Sequence, residues 1–157
     1  MKDEKVYPVD RNRFSNSHVS DRKYREMYES SVNNPDAFWA EYARKFITWS
    51  KPWETVSSFD FNSAEISWFD GAKLNASSNC IDRHLPEKEN QIAILWEGDD
   101  PSEERKITYR ELHEEVCRFA NAMKSRGVKK GDRVSIYMPM VPEAAVAMLA
   151  CARIGAV

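Results

Sequence analysis

The sequence predicts an α/β fold in which a helical, aromatic-rich front half leads into a β-hairpin and then into crossover units of a layered sheet. Three observations predict it. Aromatic residues and polar loops dominate up to about Leu85, whereas from about Asn90 short β-like runs alternate with helical ones. The hydrophobic share of 42% over 157 residues is enough apolar mass to offset ordering entropy and build a core. Finally, a helix near the end of the chain is apolar on every face from Ala144 to Ala152, and such a helix must be covered all round.

The elements follow in order. Residues up to about Val19 are polar with scattered charges and are expected to be loose. Ser20 can cap a first helix running to about Ser31, with Tyr24, Met27 and Tyr28 on one face. Asn34, Pro35 and Asp36 mark the start of a second. Its stripe is Phe38, Trp39, Tyr42, Ala43, Phe46 and Ile47, and Lys51-Pro52 ends it. Trp49, Trp53, Phe59, Phe61, Trp68 and Phe69 then fall in an extended, turn-rich stretch closing at Asp70-Gly71. A third helix is expected from Asn75 to just before Pro86, with Cys80, Ile81 and Leu85 turned inward.

The second half is more regular. Ile92–Glu97 and Arg105–Thr108 read as the strands of a hairpin joined by the acidic connection Gly98–Glu104. Thr108-Tyr109-Arg110-Glu111 fits a capping box. The helix it opens carries Leu112, Val116, Phe119, Ala120 and Met123 on its core face and ends at Gly127, a left-handed cap position. Arg133–Met138 reads as a strand, Pro142–Ile154 as a helix closed by Gly155, and a further strand is expected to begin at Gly155-Ala156-Val157. Val146, Met148 and Leu149 are each worth about 1.5–3 kcal/mol when fully buried. Either these faces close an oligomer interface or the rest of the domain is missing. The second is expected, making the chain an N-terminal piece, cut mid-sheet, whose continuation covers the helix at 142–154.

Charge and cysteine usage narrow the function classes. With 23 Lys plus Arg against 25 Asp plus Glu the net charge is -2, which argues against a dedicated nucleic-acid binder. Met1–Asp10 mixes both charge signs without an apolar core, so no secretory signal is read. The longest apolar run, nine residues, falls short of the roughly 17 that cross a bilayer. Cys80, Cys117 and Cys151 form no C-x-x-C pair and read as reduced thiols of a cytoplasmic protein.

Candidate chemistry is sparse. Cys80 with His84 and His113 with Cys117 each stand four residues apart, a spacing from which a tetrahedral zinc site can be built. Neither pair has a common finger spacing, and buried structural thiols explain them better. Gly127-Val128-Lys129-Lys130-Gly131-Asp132 is better explained as a helix cap and turn than as a phosphate cradle, since no G-x-G-x-x-G or G-x-x-x-x-G-K-[ST] occurs. Asp99 and Asp100 in EGDDPSEE offer too few ligands for a divalent cation, and Glu114-Glu115 reads as the wet side of a helix. No G-x-S-x-G is present.

Several longer phrases carry a resemblance. Gly127–Val157 (GVKKGDRVSIYMPMVPEAAVAMLACARIGAV), ILWEGDD, ITYRELHEEVCRFANAM and NASSNCIDRHL, together with the Pro35–Trp39 helix start, are similar in the same order to the AMP-forming acetyl-CoA synthetases of the adenylate-forming superfamily. The similarity spans about Ser20 to Val157. Propionyl-CoA synthetases share the Tyr137–Met140 and Leu149–Gly155 phrases; WEGDD, VCRFAN and MVPEAAVAMLACARIGA lean towards the acetate enzyme. The resemblance implies a loose segment at 1–19, the family's N-terminal helical region at 20–88, and at 89–157 the start of an adenylate-forming large domain, incomplete at its C-terminus. It implies a ligase using ATP, CoA and Mg to convert acetate into acetyl-CoA through an acetyl-adenylate. By the same resemblance the family's phosphate loop, adenine and acyl pockets, metal-binding acids and C-terminal Lys are all expected beyond Val157. No catalytic, cofactor-binding or metal residue is therefore assigned to this chain, and the piece alone is expected to be inactive. A propionyl- or other short-chain enzyme and a non-catalytic interaction module stand as alternatives.

Overall fold

The computed structural model describes residues 7–8 and 16–157, so the expected loose segment at 1–19 lies largely outside the described residues. The chain divides into two compact units, Met1–Ala43 and Arg44–Val157. In the first, α1 (Asp21–Asn33) starts at Ser20, whose side chain accepts from the Lys23 backbone N–H. Ion pairs Arg22–Glu26 and Arg25–Asp21 run along α1 one turn apart, and Tyr24 stacks on Tyr28 at 6.3 Å. Helix α2 (Pro35–Phe46) opens on its proline, as read, but ends at Phe46, short of Lys51-Pro52.

The second unit holds the last residues of α2 and everything after it. The stretch read only as extended folds into an antiparallel hairpin, β1 (Thr55–Asp60) and β2 (Glu65–Asp70). Its tip is set by Asp60, whose carboxylate accepts from the Asn62 backbone and the Ser63 hydroxyl. Below it Trp49, Trp53 and Phe69 meet edge-on or tilted at 5.1–5.3 Å. The expected third helix is broken into α3 (Ala76–Cys80), a 3-10 turn (Asp82–His84) and α4 (Leu85–Lys88). Asn75 caps α3 by accepting from Ser78 N–H. Pro86 does not stop the chain's helical path, because it falls in the first turn of α4, where its missing N–H costs nothing. Ile81 is wholly buried, but Cys80 faces outward, since the break at Ile81 turns the preceding residue away.

The hairpin of β3 (Ile92–Glu97) and β4 (Glu104–Thr108) forms as expected, with an irregularity between Ile92 and Ile94. Thr108 and Glu111 close the capping box of α5 (Tyr109–Ser125). At its other end Val128 N–H reaches Met123 C=O and Gly127 N–H reaches Lys124 C=O. That pair of bonds is the Schellman arrangement, and Gly127 takes φ +90°. α6 (Pro142–Ile154) packs on α5 through a core of Leu112, Val116, Ala120 and Met123 against Val146, Ala150 and Cys151, with Ile81 and Ile107. Phe119 sits at the edge of that stripe and is 38% exposed rather than buried.

One expected element is missing: Arg133–Met138 forms no strand. Strands need lateral partners, and here only the start of the segment finds one. Gly131 N–H bonds Gly155 C=O, Val157 N–H bonds Asp132 C=O, and Val134 N–H bonds Val157 C=O. The last two bonds flank Arg133 in the pattern of a parallel pair. The segment at 131–134, α6 and the segment at 155–157 thus make a rudimentary parallel crossover. Beyond it Tyr137 and Met140 are almost fully exposed.

Candidate functional site

Helix α5, α6 and the 3-10 turn converge on a polar seam at the edge of the core. Ile81 anchors the turn in the core, which presents Asp82 to α6. Arg153, in the last turn of α6, meets it in a two-point ion pair, Nη1 to Oδ2 at 2.8 Å and Nη2 to Oδ1 at 2.6 Å. The same guanidinium donates to the hydroxyl of Ser77, which is fully buried, at 3.3 Å. Its Nη2 also lies 3.3 Å from His113 Nε2. Because a guanidinium only donates, Nε2 is the acceptor and the imidazole proton belongs on Nδ1. Cys117 Sγ, one helical turn along α5, is 3.5 Å from that same Nε2.

The electrostatics follow from this geometry. Hydrogen bonds from Arg153 hold the Asp82 carboxyl below the usual carboxylate range, against the opposing cost of burial, with the charge of Arg153 adding to the effect. The reciprocal hydrogen bonds to Asp82 push the Arg153 guanidinium further up. With both charges only partly shielded from water, the pair acts as a clamp across three elements.

The structure brings together one of the two Cys/His pairs singled out in the sequence. His113 and Cys117 meet in the seam, but Arg153 occupies its centre. Cys80 is exposed, and the His84 ring packs on Tyr109 at 5.3 Å; partial burial and the neighbouring charges of Arg83 and Lys88 lower its pKa. Among the described residues no group of three or more His, Cys, Asp or Glu can hold a metal ion. Gly127–Asp132 is a helix cap followed by a turn: Lys129 N–H donates to Asp132 Oδ2 at 2.7 Å. Asp100 folds its own loop by accepting from the Ser102 N–H and hydroxyl, bonds that lower its pKa. Asp82, Arg153 and Ser77 were not legible as site residues. The one hint was an arginine closing a helix that is apolar from Ala144 to Ala152.

Comparison with known proteins supplies the class. Residues 81–157 match the family of AMP-binding enzymes, and residues 24–80 match the acetyl-coenzyme A synthetase N-terminus. The acetyl-coenzyme A synthetase of Saccharophagus degradans is 62% identical over 97% of this chain, and that of Magnetococcus marinus is 61% identical over all of it. The solved acetoacetyl-CoA synthetase from Streptomyces lividans superposes with a TM-score of 0.78 at 30% identity, over 94% of this chain and 23% of its own. The chain belongs to the acetyl-coenzyme A synthetase family. It spans 24% of the length of the two curated relatives.

Proposed function

We propose that this chain is the N-terminal portion of an acetate–CoA ligase. The observation that carries this is 62% identity over 97% of the chain to an acetyl-coenzyme A synthetase of which it spans 24%. The more distant solved relative, named for acetoacetate, stands at 30% identity, which favours acetate over other short acids. In the proposed reaction acetate attacks the α-phosphorus of ATP, giving acetyl-adenylate and pyrophosphate. The CoA thiol then attacks the mixed anhydride, giving acetyl-CoA and AMP.

The residues present do not fit a site for Mg or a backbone cradle for ATP phosphates. No acidic cluster suits a metal among the described residues. In the Gly127–Asp132 turn the N–H groups of Gly127, Val128, Lys129, Gly131 and Asp132 are already bonded. No step is therefore routed through this chain's side chains, and we assign it no catalytic, cofactor or metal residue. Its role is architectural: the helical region at 20–88 and the first layer of the large domain at 89–157. The remainder of that domain would pack on α6, where Met148 is 59% exposed. Three free thiols agree with a cytoplasmic location, and no helix among the described residues is long and apolar enough to cross a membrane.

The test is acetate-dependent ATP–pyrophosphate exchange. The longer product encoded with residues following Val157 should exchange, and the 157-residue chain should not. Exchange by the short chain would overturn the assignment of roles. Absence of exchange by a folded longer product would overturn the activity.

A further inference from the structure

The end of α5, the turn after it and the end of α6 enclose an open groove of ≈ 460 Å³. That is the size of a small-molecule site. Its charge is one-sided. Lys124, Lys129, Lys130 and Arg153 line it, and no carboxylate does. Arg153 is committed to Asp82. The three lysine ammoniums form no ion pair with any described residue, in a chain whose net charge is -2. Cations gathered in one concavity repel each other and raise the local potential, so the groove concentrates anions.

Two further features make this more than a scatter of surface lysines. Lys130 is seated: Gly131 N–H bonds Gly155 C=O, and a Cβ at Gly155 would stand only 2.9 Å from Lys130 Cγ. The lysine stem therefore lies directly on the glycine backbone, which spares part of the ordering entropy of binding. The groove also has apolar walls, Ala120, Val128 and Ile154, beside the Asn121 side chain, a hydrogen-bonding group. A monoanion leaves two of the three ammoniums uncompensated, whereas a dianionic phosphate group answers most of that charge.

We propose that this groove binds a dianionic phosphate group, held by the ammoniums of Lys124, Lys129 and Lys130. The group comes either as free phosphate or as a phosphomonoester whose organic body lies on the apolar walls. The site owes nothing to the activity proposed above, and either can fail alone.

The test is a nitrogen–proton NMR titration of the 157-residue chain with inorganic phosphate and with phenyl phosphate, at constant ionic strength. Saturable shifts are expected at the amides of Asn121, Lys124 and Val128–Lys130, with acetate producing none. Tighter binding of phenyl phosphate identifies a phosphomonoester site, and equal binding a free-phosphate site. K129Q/K130Q should bind about tenfold more weakly, whereas K129R/K130R should keep its affinity. Shifts reproduced by sodium chloride, or unchanged in the glutamine variant, would overturn the proposal. So would a collapsed amide spectrum, since no groove would then exist.

Discussion

At the scale of single residues the chain's most consequential contact is Asp82 with Arg153, 71 positions apart and joined at two points. Asp82→Asn keeps the shape and removes the charge, leaving Arg153 partly buried without its partner. With the pair's side chains 32% and 22% exposed, the loss is expected to be about 2 kcal/mol. The Asp82 carboxyl is lowered in the folded chain, so its contribution is fully present above the ordinary carboxylate pKa. It is lost as pH falls through the lower folded value. Denaturant unfolding of the parent and the variant should therefore show a gap that is widest near neutrality and closes in acid. A gap independent of pH would mean that the charge is not what holds the seam. The other half of that seam was partly legible: an i, i+4 spacing puts His113 and Cys117 on one face of α5, as found. The ion pair was not, because nothing local in either residue's neighbourhood announces a partner so far along the chain.

At the scale of elements, what could be read was what local chemistry decides. The caps at Ser20, Thr108 and Gly127 stand where the residue types placed them. Thr108→Ala removes the acceptor for Glu111 N–H and leaves the Glu111 carboxylate only the Thr108 backbone. It should cost about 1 kcal/mol, with Thr108→Ser close to parent, as read from thermal unfolding. Equal stability of all three would show that α5 is held by packing alone. Elements that depend on partners were harder to read. The β1–β2 hairpin escaped notice because its turn is no Asn-Gly pair; Asp60 shapes it and Ala64 takes φ +56°. Conversely, RVSIYM has the composition of a strand, yet only its first residues find a neighbour to bond. Propensity writes a strand's candidacy, and pairing decides it.

At the scale of the whole molecule, one helix carries the argument about what surrounds this chain. α6 buries Val146, Ala147, Ala150 and Cys151 against its neighbours, while Met148 on the outer side is 59% exposed. Tyr137, Met138 and Met140, in the segment that precedes α6, are exposed as well. If the proposed remainder of the large domain covers α6, the same substitution must cost different amounts in different contexts. In the 157-residue chain Met148→Lys replaces one exposed side chain with another on a helix that tolerates both, a change within about 0.5 kcal/mol. In the longer product it would place an ammonium in an apolar contact and forfeit the burial of a methionine, together about 3 kcal/mol or more. Unfolding both forms with and without Met148→Lys measures the difference directly. A neutral effect in the longer product would mean that this face of α6 stays wet there, and that the packing role assigned to the chain is wrong even if the activity is right.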